Sequence, residues 1–260
     1  AASSLGIIVA NEPGFWSREV AEQALALILA LAKRLPQQQR VAARALQSAP
    51  AAWDLPSLMP FSGLHELVVG IIGFGRIGSL VAQMMNSLAK RVVVHTRTPD
   101  EAGIKEVGAE PVSLGELLST ADVITLHVPG GDETYHLIGP QQIGQMKPGA
   151  ILINTSRGPN LDLDAVAAAL EAGQLGGLGL DTTEPEPLPP DHPLLSDSRV
   201  IVTPHFAWYG ESALSRMRSQ IVEDVRGLSR GVPPSTVVNP QVLSAASLRL
   251  GTAAVNGSAE

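Results

Sequence analysis

The chain contains no cysteine, which excludes a disulfide framework, a thiolate metal centre and a cysteine nucleophile. Positive charge is in deficit. A net charge of −7 with no basic block argues against nucleic acid or an anionic membrane surface as a partner. Long apolar runs are also missing. The longest, Ala24 to Ala32, is too short to span a bilayer and is flanked by Glu22, Gln23, Lys33 and Arg34. No charged leader with an apolar core and cleavage site is visible. The first residue is Ala1 rather than methionine, so the true start is expected to lie elsewhere. No set of His, Asp and Glu has metal-ligand spacing, so no metal is expected. These features together suit the cytoplasm.

What is present is ample apolar material: 45% of the residues are hydrophobic and only 17% charged, enough for a sizeable core. A length of 260 residues allows one large domain or two modest ones.

The chain is organised around Leu67–Gly78. An apolar run suited to a buried parallel strand passes into Gly-x-Gly-x-x-Gly at Gly73, Gly75 and Gly78. The stretch from Ser79 to Leu88 then favours helix. Strand, glycine turn and helix are the context in which this spacing means dinucleotide binding. Gly73 permits a tight turn, Gly75 lets backbone approach a pyrophosphate, and Gly78 lets helix and strand pack closely. The helix start then offers free N–H groups to the phosphates.

Before this unit, Leu5 to Ala10 reads as a short buried strand. Ser17 reads as an N-cap for a helix from Arg18 to Leu35, stopped or kinked by Pro36. That helix is apolar on most sides, which suits a core helix or a subunit interface. A homodimer is the expectation. Gln37 to Ser48 reads as a more polar helix, and Ala49 to Gly63, with three prolines and Trp53, as a connection or arm.

After the glycines, strands are expected at Val92–His95, Asp122–Val128, Ala150–Asn154, Leu178–Leu180 and Val200–Val202. Ser113 with Glu116 forms a capping box for a short helix. Asp162 or Asp164 starts a helix closed by Gly173. A last long helix runs from Glu211 to Arg230, and the tail from Gln241 reads as loose. The alternation implies an α/β fold with a doubly wound parallel sheet and ligands at the carboxyl ends of its strands.

Those ends carry unusual polar residues: His127 before Val128-Pro129, Asn154-Thr155-Ser156-Arg157-Gly158, Asp181 before Glu184-Pro185-Glu186-Pro187, and Thr203-Pro204-His205. Singly, each has a bland role as an ion-pair partner, loop charge or buried imidazole. Together they bring a cation, a carboxylate and an imidazole to one sheet edge. Carbonyl reduction needs that set. A guanidinium grips a carboxylate and polarises the neighbouring carbonyl. An imidazolium delivers the proton, and a nearby carboxylate stabilises it.

The chain resembles the D-isomer-specific 2-hydroxyacid dehydrogenase family. The resemblance runs from about Leu5 to Asn239. It rests on Val9–Gly14, Gly70–Gly78, Met146–Gly149, Ile153–Gly158 and Thr203–His205 in combination. It implies a Rossmann domain over 17–206 with a dimerisation helix, remnants of a flavodoxin-like substrate domain at 1–16 and 207–240, and a flexible tail at 241–260. It implies that Arg157 binds the substrate, His205 is the acid/base and Glu186 its partner. Glu184 competes for that partnership, but the family's carboxylate immediately precedes a proline at the position of Pro187. Asp181 would hold the nicotinamide carboxamide, Arg76 and Ile77 the pyrophosphate, and His127, Val128, Pro129 and Thr155 would lie along the cofactor. The implied reaction is hydride transfer between NAD(P)H and a 2-oxo acid, giving a D-2-hydroxy acid. A nucleotide-sensing dimeric module is the competing class.

Two departures carry expectations of their own. The acidic residue of NAD-preferring members, about twenty positions after the glycines, is replaced by His95-Thr96-Arg97-Thr98. Thr96 and Arg97 then suit a 2′-phosphate, hence NADP(H) over NAD(H), unless Arg97 stacks on the adenine of NAD. The second departure is that most of the substrate lobe is missing from the sequence, so a fragment of weak turnover is expected. Ala207-Trp208-Tyr209 resembles the branch of the C-terminal binding protein corepressors. There Trp208 either walls a pocket for an apolar 2-oxo acid or anchors the last helix.

Overall fold

A computed structural model describes residues 1–48, 61–98 and 100–244. The chain divides into two compact units: Ala1–Trp16 with the chain from Tyr209, and Ser17–Trp208. The expected arm at 49–63 lies largely outside the described residues.

The larger unit is built on seven parallel strands: β1 (Val68–Ile72), β2 (Arg91–His95), β3 (Glu110–Pro111), β4 (Val123–Leu126), β5 (Ala150–Asn154), β6 (Leu175–Leu180) and β7 (Val200–Val202). Their order is β3-β2-β1-β4-β5-β6-β7. The switch between β1 and β4 is where an open α/β sheet forms its ligand crevice. Strands β1, β2, β4 and β5 alternate in what they cover. Val93, Ile124 and Leu152 point to one core cluster, while Val92, Val94, Val123 and Ile153 point to the other. Both faces are therefore buried, which is why these strands read as continuous apolar runs.

Helices cover the two faces. On one lie α1 (Ser17–Ala32), α3 (Arg76–Asn86) and α4 (Glu101–Glu106); on the other lie α5 (Leu114–Thr120) and α7 (Leu163–Glu171). In α1, Leu27, Ile28 and Leu31 are buried, each burial stabilising by about 1.5–3 kcal/mol. This helix packs on α3, β5 and β6, so its apolar face belongs to the core of its own unit. Close packing explains two strand glycines. A Cβ on Gly70 would fall 2.7 Å from a Leu117 methyl, and one on Gly179 would fall 2.9 Å from Ile153.

The break after α1 differs from the expected one. The helix ends at Ala32, two residues before Arg34, which turns the chain with φ +53, and Pro36 sits inside the first turn of α2 (Leu35–Ser48). Proline is tolerated there because first-turn N–H groups have no intrahelical partner. Ser17 is the first helical residue rather than the cap. Ser113 does cap α5, accepting from Glu116 N at 3.2 Å. Asp162, not Asp164, caps α7, accepting from Ala165 N at 3.0 Å. A four-residue helix, α6 (Pro140–Ile143), precedes β5.

In the smaller unit, the expected strand at Leu5–Ala10 does not form. A 3₁₀ turn at Ser3–Leu5 closes at Gly6, whose φ is +69, and Leu5, Ile7 and Val9 are exposed. Only Ala10 makes a bridge, to Val237. The left-handed glycine interrupts the extended run before a ladder can start. Asn239 holds the segment instead, accepting from Val9 N at 2.8 Å and donating to Ile7 O at 2.9 Å. The last helix is α8 (Glu211–Ser229). Nor is the tail loose at its start: Pro240–Ser244 forms a 3₁₀ helix with Val242 buried.

Candidate active site

One register line crosses the sheet through His95, Ile72, Leu126, Asn154, Leu180 and Val202. The next residue of each strand is Thr96, Gly73, His127, Thr155, Asp181 and Thr203. The polar ends noted in the sequence therefore lie in a row along one edge.

At β1 the edge is backbone. Gly73 has φ +99, and a Cβ there would fall 2.4 Å from His127 O. A Cβ on Gly78 would fall 2.1 Å from Gly73 O. Both positions are closed to any side chain. Gly75 differs, since a Cβ there meets nothing within 4 Å. Packing inside the protein does not require that glycine, whereas a ligand approaching its backbone would. It precedes Arg76 and Ile77, the first residues of α3, whose N–H groups have no intrahelical partner.

His127 lies beneath this turn, its Nε2 3.0 Å from Thr125 Oγ1. Burial pushes its pKa down to about 3, so the imidazole is neutral at physiological pH. Asn160 Nδ2 reaches Val128 O at 3.4 Å. Thr134 Oγ1 donates to Pro129 O at 2.7 Å and so fixes the following loop.

At β5 the edge is held by side chains. Buried Asn154 accepts from Ser156 N at 3.0 Å and Ser156 Oγ at 2.6 Å, and donates to Arg157 O at 2.8 Å. This side chain closes the Thr155–Arg157 turn on itself. Arg157 is exposed, with its guanidinium donating to Ser156 O at 2.6 Å. Its stem runs over Gly130, where a Cβ would fall 3.0 Å from Arg157 Cγ.

At β6 and β7 the edge carries the imidazole. His205 Nδ1 lies 2.8 Å from Glu186 Oε1, and Glu186 Oε2 accepts from Thr183 N at 3.4 Å. Of the two candidate carboxylates, Glu186 rather than Glu184 meets the histidine. His205 itself adopts φ +53, a conformation uncommon outside glycine. Asp181 holds it there. The Asp181 carbonyl accepts from His205 N at 2.8 Å, and its buried carboxylate accepts from Thr203 Oγ1 at 2.5 Å, Phe206 N at 2.9 Å and Ala207 N at 3.1 Å. A carboxylate has about four acceptor sites. The expected carboxamide would thus find most of this group engaged by the turn. Trp208 is half-buried.

Several site features escaped the sequence. Arg97, expected to be available to a phosphate, is ion-paired with Glu133. Asn160 donates to Ser156 Oγ at 3.0 Å. Thr155 Oγ1, Thr182 Oγ1 and Asn160 Oδ1 are buried without a partner among the described residues. A buried unpaired polar group costs about 1–3 kcal/mol, so this edge is built for polar contact from outside the chain. Together with the open face at Gly75, these orphaned atoms fit a dinucleotide laid along the edge. Among the described residues, no group of three or more His, Cys, Asp or Glu is arranged to hold a metal ion, and no helix is long and apolar enough to cross a membrane.

The model of the D-isomer specific 2-hydroxyacid dehydrogenase NAD binding domain matches residues 25–207. A glyoxylate reductase of Korarchaeum cryptofilum is 38% identical, over 93% of this chain and 72% of that protein. Glyoxylate/hydroxypyruvate reductase B of Yersinia pestis is 36% identical, over 94% of this chain and 74% of that protein. The structure of D-lactate dehydrogenase from Aquifex aeolicus, complexed with NAD and lactic acid, superposes with a TM-score of 0.80 at 34% identity, covering 91% of this chain and 74% of that one. A matched domain spanning most of the residues, relatives aligned along nearly the whole sequence, and the ordered polar edge agree: the chain belongs to the D-isomer specific 2-hydroxyacid dehydrogenase family.

Proposed function

We propose that the chain interconverts a 2-oxo acid and its D-2-hydroxy acid, with residues 17–206 as the nicotinamide dinucleotide domain. The observation that carries this reading is the His205–Glu186 pair at 2.8 Å, placed on the carboxyl edge of the sheet with Arg157 on the adjoining strand end. The bound nicotinamide supplies the hydride in reduction and accepts it in oxidation. Gly75, Arg76, Ile77 and Gly78 receive the pyrophosphate with backbone N–H groups, and Gly73, whose own N–H donates to His95 O at 2.8 Å, makes the turn that brings them to it. Val128, Pro129, Thr155 and Asp181 line the remaining length, where the unpaired Thr155 hydroxyl offers a hydrogen bond.

Arg157 grips the substrate carboxylate and polarises the carbonyl beside it. His205 has Nδ1 engaged with Glu186, which leaves Nε2 to give a proton to the developing alkoxide, or to take it back in the reverse direction. Glu186 fixes the ring and balances the imidazolium charge. Trp208 walls the substrate side of the pocket. Glyoxylate, hydroxypyruvate and larger apolar 2-oxo acids fit this set.

NADP(H) is the preferred cofactor in this reading. No acid stands at 95–98, where β2 ends, to repel a 2′-phosphate, and Thr96 and Arg97 take that place. The protein works in the cytoplasm as a homodimer; Leu35 and Leu46 on α2 are exposed apolar residues suited to an interface.

The test is a turnover assay with NADPH and NADH in turn against glyoxylate, hydroxypyruvate, pyruvate and bulkier apolar 2-oxo acids, with nucleotide binding measured in parallel. Turnover biased toward NADPH is expected. An NADH bias overturns the role given to Arg97, and binding without turnover overturns the enzymatic reading. Sedimentation showing only monomer at micromolar concentration overturns the dimer.

A further inference from the structure

The acid missing after β2 returns from another part of the chain. Glu133 lies in a 3₁₀ turn at Asp132–Thr134, in the loop that follows β4, and its carboxylate pairs with the Arg97 guanidinium. Strand order places β1 and its glycine turn between β2 and β4, so the pair joins the loops on either side of that turn. The backbone that carries Glu133 is fixed. Thr134 N donates to Gly131 O at 3.0 Å, and Thr134 Oγ1 donates to Pro129 O at 2.7 Å, which sets the turn that carries it. Both charged side chains remain mostly exposed, at 79% for Arg97 and 77% for Glu133.

We propose that Glu133 is a specificity-determining residue that competes with the cofactor's 2′-phosphate for Arg97. This rests on the reading of Arg97 as the 2′-phosphate ligand. A ribose with a 2′-phosphate must displace the Glu133 carboxylate from the guanidinium and then tolerate its negative charge nearby. A plain ribose has no need to break the pair, and its hydroxyls can donate to Glu133. The loop after β4 thus performs the discrimination usually done by an acid at the end of β2, and it limits the preference for NADP(H).

The exposed pair is cheap to break, so the effect is a matter of selectivity rather than folding. An exposed ion pair is weak, and removing a like charge beside a phosphate adds a comparable gain, so Glu133→Gln is expected to tighten NADPH by roughly two- to thirtyfold at low salt. NADH should change by less than about twofold, and added salt should shrink the NADPH gain.

The experiment is fluorescence titration of the full chain with NADPH and NADH at two ionic strengths. It uses wild type, Glu133→Gln, Arg97→Gln and the double variant. A gain confined to NADPH that disappears in the Arg97→Gln background supports the proposal. Equal tightening of both cofactors, no tightening, or a gain that survives without Arg97 overturns it. If Arg97→Gln alone weakens NADPH while Glu133→Gln changes nothing, only the role of Glu133 falls. If Arg97→Gln leaves NADPH binding intact, the assignment of Arg97 fails and takes this proposal with it.

Discussion

At the β1–β2–β4 end of the sheet the phosphate site is made of backbone; at the β5–β6–β7 end the reacting side chains are held in place by buried polar ones. The first end works by leaving atoms out. Gly73 and Gly78 have no room for a Cβ, and Gly75 faces open space. The second works by filling. Asn154 ties the Arg157 turn to itself, and Asp181 ties the His205 turn through three donors. An anion's charge is met adequately by N–H groups on a fixed path. A proton donor must be placed to within a fraction of an ångström, which takes side chains locked by their own hydrogen bonds.

The largest expected effect separates chemistry from binding. His205→Ala should lower kcat by about 10²–10⁴-fold, the usual contribution of a positioned acid–base group. Dinucleotide affinity, set at the other end of the sheet, should stay within about twofold in titration. A parallel loss of affinity would mean the two ends are not separable. The glycine end is probed by a pair of variants. Gly78→Ala forces a Cβ against Gly73 O and should cost about 1–3 kcal/mol of stability as well as nucleotide binding. Gly75→Ala should leave stability within about 0.5 kcal/mol, because nothing in the protein opposes the new methyl. It should nonetheless weaken dinucleotide binding by roughly tenfold or more, since only the ligand needs that space. Thermal melts with and without cofactor read both effects; a Gly75→Ala protein with normal binding would refute the close approach.

The backbone end was the more legible of the two in the sequence. Glycine spacing is local, and so is the continuous apolar run of a strand buried on both faces, so β1 and β2 lie nearly where the sequence places them. The side-chain end was only half legible. His205 and Glu186 stood out by residue type, but the partners of Asp181 lie 22 to 26 residues away in the chain, and no local pattern reveals them. The same holds for Arg97 and Glu133, which are 36 residues apart. Short elements were missed for want of length: α4 contains Gly103 within six residues, and β3 has only two. β6 begins at Leu175 rather than Leu178 because Gly176 and Gly177 disguise its start. Apolar content misled at Leu5–Ala10, where a strand needs a partner along its length and finds one at Ala10 alone.

Asp181 offers a sharper test of what holds the histidine. Asp181→Asn keeps the shape but turns one acceptor into a donor, facing N–H groups that need an acceptor. The expected loss is about 1–3 kcal/mol of stability, the cost of one mismatched buried hydrogen bond. With it, kcat should fall more than the KM for the dinucleotide rises, because the variant loosens the turn that carries His205. Unchanged stability with a large rise in cofactor KM would assign the carboxylate to the carboxamide instead.

The effect that is smallest at neutral pH belongs to His127, which lies against the glycine turn. Its carbonyl sets the limit on Gly73, and its ring is kept neutral by burial. The unfolded chain binds a proton at this histidine below pH 6.5, while the folded chain does so only near pH 3. Above pH 6.5 neither state is protonated, and the group has no effect on the pH dependence. As pH falls from 6.5 toward 3, the unfolded state gains a proton that the folded state refuses, so stability declines by at most about 1.4 kcal/mol per pH unit. His127→Gln keeps a polar contact to Thr125 and cannot titrate. Urea unfolding midpoints measured from pH 7 to pH 4 should therefore fall less steeply for the variant than for wild type. Identical slopes would show that the imidazole reaches water in the folded protein, and that the glycine end is more open than its packing indicates.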